Sequence, residues 1–145
     1  MIATDPVPPI DDDEMLDRFI VNSSEFRKDN TVKPKLFLPY SRIELSLNWH
    51  RDCDENEICD VGAYVAATRK CTFYGRSDIR AEKCNIAPLK VVAMPIKDKP
   101  DQPNNPNHAD ITGYPAAKAE QMSLAAKLAA VAGLRKEPPN ASGAT

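Results

Sequence analysis

Long apolar runs are missing from this chain of 145 residues. None approaches the roughly 20 residues that a helix needs to cross a bilayer. The N-terminus has no basic start and no apolar stretch, so it does not read as a signal peptide. Both absences point to a cytoplasmic protein away from membranes. The four cysteines, Cys53, Cys59, Cys71 and Cys84, are separated by five, eleven and twelve residues, and no CxxC pair occurs. A zinc ribbon and a thioredoxin-type site are therefore not signalled, and free thiols are expected. The pairing of His50 with Cys53 is the one metal-like spacing, so His50, Cys53, Cys59 and Cys71 are the candidate ligands if zinc is held at all. No GxGxxG, GxxxxGK[ST], GxSxG or HExxH is present, which removes the common nucleotide-cradle, hydrolase and metalloprotease signatures. The bases are scattered rather than grouped with aromatics, and the pI is about 5.7. A nucleic-acid partner is not expected.

The near-neutral charge of −2 conceals an uneven distribution. Residues 1–17 carry six acids and no base, beside Pro6, Pro8 and Pro9. That composition reads as a disordered acidic leader. Order is expected from residue 18 to residue 135 as one α+β domain, with a disordered tail over 136–145. Strands are predicted at residues 19–21, 36–38, 43–49, 72–74 and 91–94. The alternation of Ile43, Leu45, Leu47 and Trp49 with Arg42, Glu44, Ser46 and Asn48 is the cleanest in the chain. Residues 36–38 and 43–49, joined by a short break at Tyr40 and Ser41, read as an antiparallel pair. Residues 89–94 read as a central strand. From residue 52 to 68 the period becomes helical, with Asp54, Glu55 and Glu57 loading the N-terminus and Gly62 weakening the middle. Residues 96–107, rich in Pro and Asn, read as an exposed loop.

The strongest periodic segment is the last. Residues 108–112 predict an edge strand, Gly113-Tyr114-Pro115 a corner, and residues 116–134 an alanine-rich helix with Leu124, Leu128 and Val131 on its packed face. Pro115 is expected to open that helix. The fold expected is a small, mostly antiparallel sheet with the C-terminal helix packed on one face and a second short helix.

Two places read as functional. In the turn Tyr74-Gly75-Arg76-Ser77-Asp78, Arg76 offers a planar fork for a carboxylate or phosphate, and Asp78 sits beside it. The plainer reading is that Arg76 and Asp78 pair with each other, or that Asp78 bonds backbone N–H groups of the next turn. At the head of the last unit, His108 and Asp110 share a strand face and could serve as an acid–base pair, with Tyr114 close by. A nucleophile at a recognisable spacing is missing.

Three blocks, RFIVNSS, YGRSDI and HADITGYPAAKAEQMSLAAKLA, together resemble a group of small uncharacterised bacterial proteins with HGRADI-like and HAxIxGWP-like motifs. The resemblance spans most of residues 18–135. Tyr74 stands where that pattern has His, and Tyr114 where it has Trp. It implies a bacterial origin and, by association, a mobile-element or defence setting, but no activity. The function expected is a non-enzymatic accessory protein that acts through protein contacts and needs no cofactor. The alternative is a small enzyme or ligand-binding domain for a phosphorylated or nucleotide-like substrate, using Arg76, His108 and Asp110.

Overall fold

The computed structural model describes residues 8–39, 43–100 and 104–139. Five antiparallel strands form one sheet: β1 (Met15–Ile20), β2 (Leu45–Trp49), β3 (Gly75–Arg80), β4 (Lys90–Ala93) and β5 (His108–Thr112), in the order β3-β1-β2-β5-β4. Among the described residues three α-helices accompany it: α1 (Glu55–Thr68), the single turn α2 (Ala81–Cys84) and α3 (Lys118–Val131). The protein is thus a small α+β fold, as its periodicities predict. None of the described helices is long and apolar enough to cross a membrane.

Strand alternation divides the sheet into two unlike faces. Leu16 and Ile20 of β1, Leu45, Leu47 and Trp49 of β2, Ile79 of β3 and Ile111 of β5 fall on one side and are almost fully buried. They form the core with Leu36, Phe37, Leu124, Ala125 and Leu128. At ~1.5–3 kcal/mol for each large side chain fully buried, this face supplies most of the drive to fold. The corner before α3 closes it. Gly113 has φ +94°, and a Cβ there would lie 2.2 Å from the Pro88 carbonyl oxygen. Only glycine accepts both conditions. Tyr114 is buried, and its hydroxyl donates to the Phe37 carbonyl oxygen at 2.7 Å.

Several elements differ from the sequence reading. Residues 36–38 form no strand; Pro34–Phe37 is a 3-10 turn in which the adjacent Leu36 and Phe37 are both buried. Consecutive burial does not suit a strand with one wet face, and Pro34 pre-sets the turn. The expected antiparallel pair with residues 43–49 therefore does not form, and Tyr40 and Ser41 lie outside the described residues. Strand formation begins at Gly75, not at residues 72–74, so Arg76 to Ile79 is strand rather than turn. β5, expected at an edge, is interior between β2 and β4, and β4, expected in the centre, is at the edge. The burial of Ala109, Asp110 and Ile111 in succession suits an interior strand. β1 starts at Met15, three residues before the expected onset of order. α3 begins at Lys118 rather than at Pro115, and Val131 is exposed.

Candidate functional site

The second face of the sheet is polar, and its register builds a row across four strands. Asp78 of β3 pairs with Asp17 of β1, Asp17 with Asn48 of β2, and Asn48 with His108 of β5. Cross-strand partners point to the same side. The row follows from alternation: each member is flanked by a residue that faces the core.

α1 covers the β3 end of this face. Its start is fixed by a capping box, in which Asp54 accepts from the Glu57 N–H and Glu57 accepts from the Asp54 N–H, both at 2.9 Å. Such a cap contributes about 1 kcal/mol. Gly62 then lets the helix settle on Phe19 and Phe73, whose rings meet edge to face at 5.8 Å. Glu55 in the first turn reaches Arg76, with contacts of 2.6 and 2.9 Å to its two terminal nitrogens. Arg76 Nε donates to Asp78 Oδ1 at 2.8 Å. All three guanidinium nitrogens are thereby engaged inside the protein, and Arg76 is 3% exposed. Burial alone would lower the Arg76 pKa, but its hydrogen bonds to Glu55 and Asp78 together hold it above the ordinary value. Its hydrogen bond to Glu55 in turn brings that carboxyl down to about 2.

Asp17 is the centre of the row. It is fully buried, and burial raises its pKa to about 6 despite the hydrogen bond from His50, which works the other way. His50 Nε2 lies 2.7 Å from Asp17 Oδ2 and 3.7 Å from Asp78 Oδ1. Asn105 Nδ2 donates to Asn48 Oδ1 at 3.1 Å, and Asn48 Nδ2 donates weakly to Asp17 Oδ2 at 3.4 Å. The His50 and Asn48 contacts thus converge on one oxygen of Asp17, while Oδ1 is buried with no hydrogen-bond partner. Buried polar atoms without a partner are rare in native proteins and call for an explanation.

A pocket of about 100 Å³ opens over Asp17, Asn48 and His108. Val65, Thr68 and Arg69 at the end of α1 form one wall, and Ile96 and Asn105 form another. The described residues of the expected loop, 96–100 and 104–107, are therefore not all exposed. Ile96 and Asn105 pair as a β-bridge, and the Asn107 side chain donates to the Arg51 carbonyl oxygen and to Cys53 Sγ. His108 lines the pocket with its Nδ1 2.9 Å from the Met94 carbonyl oxygen and its Nε2 3.7 Å from Asp110 Oδ1. A carbonyl oxygen can only accept, so Nδ1 carries a proton, and in that tautomer of the neutral ring Nε2 is an acceptor.

The candidate residues are thus distributed unequally. His108 is in the pocket, with Asp110 next to it on the same strand face. Arg76 and Asp78 share the polar face but are bound into the ion-pair network, and Arg76 does not line the pocket. Tyr114 is on the core side. His50 meets Asp17 and Asp78 rather than the cysteines. Cys53 takes the Asn107 amide, Cys59 lies against Arg76 and Glu55, and Cys71 is exposed. Asp17, Asn48 and Asn105 were not among the candidates. Asp17 had one legible signal, since MLDRFI continues the alternation of the first strand and puts a carboxylate inside it. Asn105 sits in a low-complexity stretch and carries no comparable signal. Comparison with protein-family models, with curated proteins and with solved structures finds no match to this chain.

Proposed function

We propose that this chain is a small ligand-binding domain that seats a donor-bearing head group, an amine, guanidine or amide, in the pocket over Asp17 and His108. One observation carries the reading: Asp17, a fully buried acid with an unpartnered oxygen, lines a pocket together with His108, whose Nδ1 is turned to the Met94 carbonyl oxygen. Two acceptors favour a ligand that donates, and burial strengthens such bonds by excluding water. The pocket is smaller than an engineered ~150 Å³ cavity that holds benzene. It admits a head group, and the rest of the ligand would lie across exposed Thr68 and Arg69. The phosphate reading loses its anchor, because Arg76 is already bound by Glu55 and Asp78. The test is an amide-detected NMR titration with methylammonium, guanidinium and acetate. The two cations are expected to shift Asn48, Asn105 and His108 with millimolar affinity, as befits fragments of a few atoms. Acetate should leave them unmoved. Equal shifts by acetate, or undiminished cation binding in Thr68→Trp, which fills the mouth, would remove the reading.

A second reading keeps the protein-contact role. It is favoured by an open groove of about 510 Å³ on the outer side of α3, lined by Val32, Pro34, Ala126, Ala129, Ala130 and Leu134 among others. Leu134 and Val131 beside it are 59% and 48% exposed. Leu128, by contrast, is fully buried, so Leu128→Asp tests folding rather than contact. Ala130→Glu alters the groove without touching the core, and it is expected to remain folded while losing any partner that co-purifies with the wild type. An unchanged set of partners would remove this second reading.

A further inference from the structure

We propose that Asp17, His50 and Asp78 hold a divalent first-row metal ion of the Mn²⁺ to Zn²⁺ class, at the closed end of the polar row. The inference deepens the ligand-binding reading, because Asp17 belongs to both, but it requires no organic ligand.

The three side chains come from separate elements that the sheet brings together. Asp17 and Asp78 are cross-strand partners on β1 and β3, so their carboxylates rise side by side. His50 follows the last residue of β2 and reaches across to both, at 2.7 and 3.7 Å. Ligands bonded at ~2.0–2.2 Å to one ion stand roughly 3–3.5 Å apart, so a small adjustment converts this cluster into a three-ligand set. One imidazole and two carboxylates, without thiolate, suit manganese, iron or zinc.

Asp17 supplies an independent sign. Its side chain has no exposure, and its Oδ1 has no donor, although its other oxygen meets His50. A buried carboxylate oxygen left in that state is costly. The contact to His50 runs through Oδ2, and an ion held by both oxygens of this carboxylate would satisfy Oδ1 as well.

The surrounding charges agree. Asp17, Asp78 and Glu55 stand against Arg76 and Lys136, so one negative charge is in excess when His50 is neutral. Lys136 Nζ lies 2.9 Å from Asp78 Oδ2, on a side chain that is 54% exposed. It can swing away. With Lys136 withdrawn, a doubly charged ion among Asp17, His50 and Asp78 leaves the group neutral with His50 unprotonated, the form that ligates. Arg76 Nε on Asp78 Oδ1 and Asn48 Nδ2 near Asp17 Oδ2 would then act as the outer contacts that orient metal-binding carboxylates.

The experiment uses the full chain stripped of metal with a chelator. Mn²⁺ is titrated while electron paramagnetic resonance counts free ion and NMR follows relaxation of the His50 ring. One ion per chain is expected, with broadening centred on His50, Asp17 and Asp78. Asp17→Asn and His50→Gln should weaken binding by more than the roughly 10–100-fold typical of an outer contact. Lys136→Ala should tighten it several-fold, since a competing ammonium is gone. Thr68→Trp, which blocks the organic pocket, should leave Mn²⁺ binding unchanged, so the metal site and the pocket fail or stand separately. The proposal is overturned if folded wild type and folded Lys136→Ala both leave the His50 ring unbroadened. It is equally overturned if the bound Mn²⁺ is lost with Asp11→Asn and Asp13→Asn instead, or if Zn²⁺ binding follows Cys53→Ser and Cys71→Ser.

Discussion

Asp17 concentrates a conflict: a carboxylate with no exposure, facing a second carboxylate across the strand pair. Its consequence for stability has a definite sign. Burial raises its folded pKa from 3.8 to about 6. Between those values the folded chain keeps a proton that the unfolded chain has released. The stability contributed by this group is therefore fully present below about pH 4 and is lost as the pH rises through about 6. At ~1.4 kcal/mol per pKa unit the effect is on the order of 3 kcal/mol. Glu55 works in the opposite sense, because its hydrogen bond to Arg76 lowers it from 4.5 to about 2. That contribution is present above about pH 4.5 and is lost as the pH falls towards 2. In metal-free buffer, Asp17→Asn is expected to flatten the decline between about pH 4 and 6 and to leave the acid limb due to Glu55 unchanged. Urea unfolding midpoints across that range decide it; parallel profiles for both proteins would mean that Asp17 ionises like a surface acid.

Among the elements, α1 shows how a residue that looks unfavourable in sequence becomes necessary in packing. Gly62 weakens the helix by roughly 1 kcal/mol relative to alanine when propensity alone is counted. In the fold, a Cβ at Gly62 would stand 2.5 Å from the Phe73 ring and 2.8 Å from Phe19. Overpacking of this kind typically costs ~1–3 kcal/mol. Gly62→Ala is therefore expected to lose stability, by up to ~2 kcal/mol after the propensity gain, in a chemical denaturation curve. A gain would show that the Phe73 ring moves aside freely. The same element adds a partner to Arg76 beyond the Asp78 that its turn-like sequence already offered. As part of a turn it looks available; as part of β3 it lies under α1, where Glu55 meets it. Glu55 itself was legible as an acid at a helix start, but nothing local in the sequence connects it to a residue 21 positions away.

At the scale of the whole molecule, the chain after α3 closes the sheet. Gly133 N donates to the Asp78 carbonyl oxygen at 2.7 Å, and the Arg76 and Lys136 backbones exchange hydrogen bonds of 3.1 and 2.8 Å. Ser77 Oγ donates to the Gly133 carbonyl oxygen at 2.7 Å. Gly75, at φ +112°, leaves no room for a Cβ beside the Lys136 carbonyl oxygen. Arg135 adds a hydrogen bond to the Tyr74 carbonyl oxygen and stacks over the Phe26 ring at 4.1 Å. A chain ended after Ala132 should lose several kcal/mol, given ~0.5–1.5 kcal/mol for each hydrogen bond. It should also self-associate through the uncovered edge of β3. Light scattering across a concentration series, together with a melting curve, checks both; a monomer of unchanged melting temperature would show that this closing segment adds nothing.

The amino-acid sequence by itself determined what depends on neighbours along the chain. The alternation of Leu45, Leu47 and Trp49, without its expected first member Ile43, which is 55% exposed and precedes β2, the helical period around Ile58, and the Gly113 corner before α3 each follow from local backbone geometry and one-sided burial. Leu36 and Phe37 escaped because a pair of adjacent apolar residues has no period to read. Only the tertiary structure decided the order β3-β1-β2-β5-β4, and with it the row of Asp78, Asp17, Asn48 and His108. Those four come from distant parts of the chain, and cross-strand register aligns them once the apolar face has chosen its partners. Burial then made an acid in an unremarkable strand the centre of the site, because the cost of a buried charge depends on what surrounds it in space and not on what precedes it in sequence.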